Sequence, residues 1–219
     1  MNDVIAAALE LQTVCQNQGW QFCFIGGIAV QRWSEPRFTD DADLTLLTGF
    51  GSEEAFIAPL LQAFSPRRPD AADFALRNRV LLVKNSLGVG LDIALGAFPF
   101  EIHAIARSSS FVFPTGQSLV TCSAEDLLVH KCFANREKDW LDVDGILARQ
   151  LGKLDLKLVW KELKPLAELK EQPEIVSRLE EKIIHFNRPF TRIKRTKRGV
   201  SAVAESEIKQ AKKKHGPDK

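Results

Sequence analysis

Residues 22–44 of the chain read FCFIGGIAVQRWSEPRFTDDADL, and this stretch decides the fold. An apolar, aromatic-rich strand is predicted over residues 21–25, and the pair Gly26-Gly27 ends it at the start of a short predicted helix. A second apolar strand is predicted over residues 42–47. A strand, a glycine turn, a helix and a second strand in close succession indicate a mixed α/β fold.

The rest of the chain divides into two parts by the type of secondary structure that its sequence predicts. Up to residue 122 the predicted helices and strands alternate, with strands over 80–84 and 89–95 and a Pro- and Arg-rich loop over 65–73. Beyond it, helical periodicity continues to Phe186. We therefore expect an α/β domain over residues 1–122, a helical subdomain over 123–187 and a basic, flexible tail over 188–219.

The glycine pair has two interpretations. Glycines between a strand and a helix leave backbone N–H groups free at the positive end of the helix, and these groups suit a phosphate. Most such pairs are only tight turns, and this one is neither a Walker A loop nor a dinucleotide fingerprint. Gly26 and Gly27 are therefore candidate phosphate-binding residues only if their neighbours support that role.

Two acids stand at the head of the second strand. Strand alternation places Asp41 and Asp43 on one face, about 6–7 Å apart at about 3.3 Å per residue, while Ala42 and Leu44 point into the core. Two such carboxylates repel each other, and a divalent cation would relieve that cost. Mg²⁺ or Mn²⁺ prefers such oxygen ligands. The alternative is an acidic loop that merely leads into a strand.

A third acid favours the metal site. In the predicted strand over 89–95 the odd positions are bulky and apolar, whereas the even positions are Gly90, Asp92 and Ala94. An acid inside a strand whose other face is core needs a partner, and small neighbours leave room for a ligand above it. Asp41, Asp43 and Asp92 are therefore the candidate metal ligands and catalytic residues.

These residues resemble the DNA polymerase beta-like nucleotidyltransferase superfamily, whose members carry a Gly-Gly or Gly-Ser turn, an Asp-x-Asp strand and a later strand acid. The run RFTDDADL over residues 37–44 is similar to the Arg-x-Thr-x-Asp-x-Asp pattern of its minimal, AbiEii-like branch. The resemblance implies a small mixed sheet with flanking helices, followed by a C-terminal helical subdomain. Members with Gly-Ser have a hydroxyl where this chain has Gly27.

A softer match follows in the helical half, where Lys131 precedes the run REKDWLD over residues 136–142, similar to a Lys…Arg-x-Lys-Asp-x-x-Asp segment of the same branch. Lys131 falls in the inward stripe of its predicted helix, so it either reaches a buried anion or extends outward at the edge of the stripe. Together with Arg37 and Thr39, it is a candidate contact for the phosphates of a nucleotide.

The resemblance implies an enzyme that transfers a nucleoside monophosphate from an NTP, with Mg²⁺ or Mn²⁺, to an acceptor hydroxyl. The branch implies a toxin-type acceptor, either tRNA or a protein partner, and a possible cognate antitoxin. Other superfamily members modify small molecules of the aminoglycoside type. The competing class is a non-enzymatic nucleotide-binding antitoxin or scaffold with the same fold.

Composition and charge limit the partners and the location that we expect for the protein. The net charge of +2 divides between an acidic body and residues 188–219, which hold 11 Lys or Arg against 3 Asp or Glu. Such a tail could contact RNA or could be merely solvated. No long apolar run or leader pattern is present, and the four cysteines lack metal-ligand spacing. A cytoplasmic protein with no membrane partner is the expectation.

Overall fold

The fold is described from a computed structural model, in which residues 2–187 can be described; the basic tail predicted for residues 188–219 lies outside them. Seven strands form one mixed sheet in the order β3-β4-β5-β2-β1-β7-β6. The strands are β1 Phe22–Phe24, β2 Asp41–Leu47, β3 Ser65–Pro66, β4 Val80–Lys84, β5 Gly90–Gly96, β6 Ser109–Val112 and β7 Ser118–Thr121.

Helices flank this sheet and make up the C-terminal part of the described chain. Those within the α/β part are α1 Asn2–Asn17, α2 Gly26–Trp33, α3 Glu54–Ala63, α4 Ala71–Asn78 and α5 Pro99–Ala106. Those that follow are α6 Ala124–Ala134, α7 Glu137–Gln150, α8 Leu156–Leu169 and α9 Glu174–Asn187, with a short 3-10 turn at Leu151–Lys153. The predicted fold class, a mixed sheet with flanking helices and a helical C-terminal part, is confirmed.

Strand alternation sorts the central strands into two faces. Leu44 and Leu46 of β2 and Leu91 and Ile93 of β5 are buried in one apolar cluster with α1, α3 and α4. The opposite face carries the acids, and helix α5 covers the part of it that lies beyond them, where Glu101 packs beside Gly96. The core therefore fills one side of the sheet and leaves the start of β2 and β5 accessible on the other.

A second apolar cluster joins the helical part to the sheet. It combines Cys23 of β1 and Val30 of α2 with buried residues of the later helices, among them Trp140 and Leu163. Because this cluster crosses residue 122, burial links the sheet to the C-terminal helices. No helix within residues 2–187 is long and apolar enough to cross a membrane.

One stretch differs from the sequence-based expectation. Residues 65–73 are predicted as a loop, but Ser65 and Pro66 pair with β4, and a helix begins at Ala71. This helix buries only Ala71 and Ala75, so its apolar stripe is too narrow to stand out from the surrounding Arg, Asp and Pro residues. The short strand has consequences at the site, because it positions the residue that follows it.

Candidate active site

The three acids predicted as ligands lie on one face of neighbouring strands. Strands β2 and β5 run parallel, with Asp43 directly opposite Asp92 and Asp41 opposite Gly90. Ala42 and Leu44, between and beyond the first two acids, are fully buried on the other face. The alternation predicted from the sequence is confirmed, and it gathers three carboxylates at the starting end of two adjacent strands.

The glycine turn packs directly against this acidic face. Helix α2 begins at Gly26, and the backbone N–H of Gly27 donates to Oδ2 of Asp43 at 3.4 Å. Gly26 has φ +54°, and a Cβ at that position would overlap the Asp43 carboxylate. The turn must therefore be glycine both for its backbone conformation and for the close approach of Asp43.

Thr39 accounts for the second glycine. A Cβ on Gly27 would overlap the side chain of Thr39, which is buried and whose hydroxyl donates to the carbonyl of Asp41 at 3.2 Å. A serine at position 27, as in Gly-Ser members of the superfamily that this sequence resembles, does not fit beside Thr39. The threonine hydroxyl lies where that side chain would stand.

Burial and mutual repulsion act on the carboxylates. Burial, followed by the negative charge of Asp41, raises the pKa of Asp43, although the N–H of Gly27 and the charges of Lys131 and Arg136 oppose the shift. Burial also raises the pKa of Asp92, with the charges of Asp43 and Asp41 adding to it and the nearby Arg67 opposing it. Such a set of oxygen ligands suits a hard divalent cation, which would relieve this repulsion.

Arg67 is the site residue that the sequence interpretation missed. It follows β3 directly, and its guanidinium forms an ion pair with the carboxylate of Asp92. Within residues 2–187, no three side chains of His, Cys, Asp or Glu converge closely enough to form a ready-made metal site. Asp41, Asp43 and Asp92 thus share one face without forming a closed metal site, and Asp92 is already paired with Arg67.

Lys131 lies on α6 and is buried, as its place in the inward stripe predicts. Its ammonium contacts Oδ2 of Asp142 at 2.8 Å and Oδ1 of Asp139 at 3.2 Å, both on α7. Arg37 donates to both oxygens of Asp142 through Nε at 2.7 Å and Nη2 at 2.8 Å. Two of the predicted phosphate contacts are thus joined through one shared aspartate.

The basic partners of Asp142 and Asp139 determine the pKa values of these two acids. Burial alone would raise the pKa of Asp142, but the hydrogen bonds from Arg37 and Lys131 outweigh burial and hold that pKa below its ordinary value. The pKa of Asp139 is likewise held down against burial, chiefly by the hydrogen bond from Arg136. Both acids are therefore ionised counter-ions: Asp142 fixes the loop before β2 to α7 through Arg37, and Asp139 pairs with Lys131 and Arg136.

The predicted site residues fall into two groups. Gly26, Gly27, Thr39 and the three strand acids are brought together by α2, β2 and β5. Arg37 and Lys131 form the neighbouring network, and Lys131 is close enough for its charge to act on Asp43. Asp142 joins the two groups because it holds the loop that carries Thr39, a role that helical periodicity alone does not indicate.

No protein-family model matches the chain, and no curated protein matches it. Solved structures to which the chain is similar include an antigenic nucleotidyltransferase-like protein from Paracoccidioides brasiliensis, at 16% identity and a TM-score of 0.47 over 81% of this chain and 93% of that one. The antibiotic-resistance factor ANT(2'')-Ia gives 14% identity and a TM-score of 0.46 over 83% and 97%. The lincosamide antibiotic adenylyltransferase LnuA gives 12% and 0.41 over 62% and 91%. Because these identities and TM-scores are low, any assignment of function must be argued from the chain's own residues.

Proposed function

We propose that the protein is a metal-dependent nucleotidyltransferase that moves a nucleoside monophosphate from an NTP to an acceptor hydroxyl. The observation that carries the proposal is the pairing of Asp43 with Asp92 across parallel strands, with Asp41 on the same face. The beginning of a helix at Gly26-Gly27 adjoins these acids and supplies the backbone N–H groups that suit a phosphate.

Asp41 and Asp43 are proposed to hold divalent Mg²⁺ or Mn²⁺, with Asp92 as a third ligand. When bound, such an ion neutralises charge on the phosphates of the nucleotide and orients them. The donor set fits this role because all three side chains are oxygen ligands on one face. A cation would also relieve the burial and mutual repulsion that raise the pKa of Asp43 and Asp92.

The remaining residues bind and orient the nucleotide. Backbone N–H groups at Gly26 and Gly27 are proposed to face the β and γ phosphates, with the Thr39 hydroxyl beside them. The N–H of Gly27 would exchange its 3.4 Å contact with Asp43 for a phosphate oxygen. Arg37 and Lys131 supply positive charge at the same end of the strands. Because both are held by Asp142, they act as fixed charges that need little reorganisation when the phosphates arrive.

In the proposed reaction the acceptor oxygen forms a bond to the α-phosphorus while the bond from that phosphorus to the β-phosphate oxygen breaks. Pyrophosphate leaves with that oxygen and its electron pair. Asp92 is proposed to accept the proton of the hydroxyl.

The acceptor is proposed to be an RNA of the tRNA class or a protein partner, as in a toxin of a toxin–antitoxin pair, with a small-molecule hydroxyl as the other class. A survey of α-labelled NTPs against total tRNA, cell lysate and aminoglycoside-type acceptors identifies it. The proposal expects Mg²⁺-dependent transfer of label to one class. Absence of transfer with every NTP and every acceptor would contradict it.

A second candidate is a nucleotide-binding protein without transferase activity. The ion pair between Arg67 and Asp92 favours it, because one proposed ligand is already neutralised. Thermal unfolding with Mg²⁺ and each NTP separates the candidates when combined with the labelling survey, since a ligand of the native state raises the melting temperature. Stabilisation without transfer supports the second candidate, and stabilisation with transfer supports the enzyme.

A further inference from the structure

Arg67 lies in one row with the acids of the sheet. Its backbone N–H donates to the carbonyl of Leu82 on β4 at 3.1 Å, and Leu82 is in turn paired with Asp92 on β5. Asp92 is followed by Asp43 on β2 in the same register. Residues in one row across adjacent strands point their side chains to the same face, so strand pairing places the side chain of Arg67 on the acidic face.

The guanidinium of Arg67 lies over Gly90, between two of the proposed ligands. It pairs with Oδ1 of Asp92. A Cβ on Gly90 would stand 2.9 Å from Nη1 of Arg67 and 3.3 Å from the Cβ of Asp41. The missing side chain at Gly90 therefore provides the space that the arginine fills, beside Asp41 as well as Asp92.

We propose that Arg67 is a built-in counter-cation that competes with the divalent ion for Asp92. This inference rests on the proposed function. A carboxylate oxygen bonded to a guanidinium is not free to coordinate a metal, and two cations on neighbouring oxygens repel each other. Metal binding through Oδ1 of Asp92 therefore requires Arg67 to leave that oxygen, and the positive charge of Arg67 also weakens the binding of a metal ion alone at the other oxygen.

The triphosphate provides the other half of this exchange. A guanidinium binds phosphate oxygens with the same two-point geometry that it uses for a carboxylate. A nucleotide arriving with its metal offers Arg67 a new anionic partner at the moment Asp92 is taken by the ion. Metal and nucleotide then bind cooperatively, each more tightly in the presence of the other.

The merely structural alternative is that Arg67 ties β3 to β5. Both side chains of the pair are about 30% exposed, at 31% and 29%, so the pair is open to solvent and an incoming ligand can reach it. A structural tie predicts a loss of stability on substitution and no change in the affinity of a metal ion. The competition model predicts that the affinity rises.

The test is a titration of the full chain with Mn²⁺ alone, followed by electron paramagnetic resonance. Arg67→Gln should bind Mn²⁺ at least about tenfold more tightly than the wild type, because a positive charge near the ion is removed. The matched control is Arg68→Gln, since the adjacent Arg68 pairs with Asp70 instead. Its Mn²⁺ affinity should stay at the wild-type value. Equal or weaker binding by Arg67→Gln overturns the inference.

A measurement on the unaltered protein applies even if Arg67→Gln does not fold. The side-chain N–H resonances of Arg67, assigned with Arg67→Lys, should shift when Mg²⁺ is added together with a non-hydrolysable NTP analogue. Unchanged resonances at saturating ligand overturn the inference. If wild type and variant bind Mn²⁺ equally, the metal site stands and only the competition falls. If neither binds Mn²⁺, the proposed metal site falls as well.

Discussion

Replacing Gly26 by alanine tests how closely the glycine turn is fitted to Asp43. Gly26 has φ +54°, and an added Cβ would overlap the Asp43 carboxylate. The left-handed conformation alone costs about 1–2 kcal/mol for alanine, less about 0.4–1 kcal/mol recovered from the stiffer unfolded chain. Displacing Asp43 from the N–H of Gly27 adds about 1–3 kcal/mol for a lost bond to a charged group. The variant should lose about 2–4 kcal/mol of unfolding free energy.

The matched control is Gly19→Ala. Gly19 has a similar φ of +68°, but a Cβ there would meet no atom within 4 Å. This variant should lose only about 1 kcal/mol, the backbone cost alone. Urea denaturation of the two variants measures the difference. Gly26→Ala should also lose the stabilisation that Mg²⁺ with an NTP gives the wild type, whereas Gly19→Ala keeps it. Equal unfolding free energies, or full ligand stabilisation of Gly26→Ala, would refute the reasoning.

Three further predictions concern charge. His130 is half-buried, and desolvation lowers its pKa to about 4. The unfolded chain takes up a proton on this histidine before the folded chain does, so the free energy of unfolding is full above pH 6.5 and falls by about 3 kcal/mol as the pH drops towards 4. His130→Leu should not show this loss when urea denaturation is followed across that range. Lys131→Met leaves two buried aspartates short of a counter-ion and should cost about 3 kcal/mol, whereas Lys182→Met, from a more exposed pair, should cost less than about 1 kcal/mol by the same measurement. Asp43→Asn should raise the unfolding free energy in metal-free neutral buffer, because the raised pKa of Asp43 means that its ionised form weakens folding there. Calorimetry should show no increase in the stability of this variant when Mg²⁺ is added with an NTP. Lower stability of Asp43→Asn in metal-free buffer would contradict the assigned desolvation.

The sequence specifies the acidic face because alternation is a short-range rule. Once β2 and β5 are recognised, Asp41, Asp43 and Asp92 must point away from their buried neighbours. The sequence alone does not determine that β2 and β5 are adjacent, because strand order depends on long-range pairing. The register of Asp43 against Asp92 is therefore a finding of the structure that turns three separate acids into one candidate site.

Arg67 and the Lys131 network lay beyond sequence inference for a related reason. Arg67 follows a strand of only two residues, which is too short to show the alternation of apolar and polar residues that predicts a strand. Its position is set by the pairing of that strand with β4. Asp139 and Asp142 sit in the first part of α7, where acids are favoured by the helix dipole in any case. Their bonds to Lys131, Arg37 and Arg136 depend on the packing of α6 against α7, which no local pattern encodes.

The central claim is that the face of Asp41, Asp43 and Asp92 performs metal-dependent nucleotidyl transfer. The most direct measurement is the rate of transfer from an α-labelled NTP, with Mg²⁺ and the acceptor class found in the survey, for Asp41→Asn and Asp40→Asn. Asp40 is the adjacent acid, exposed and outside the strand. Asp41→Asn should lose transfer by at least about a hundredfold, the usual cost of removing a preorganised charge from such a site, while Asp40→Asn keeps it. Transfer by Asp41→Asn at the wild-type rate would contradict the account.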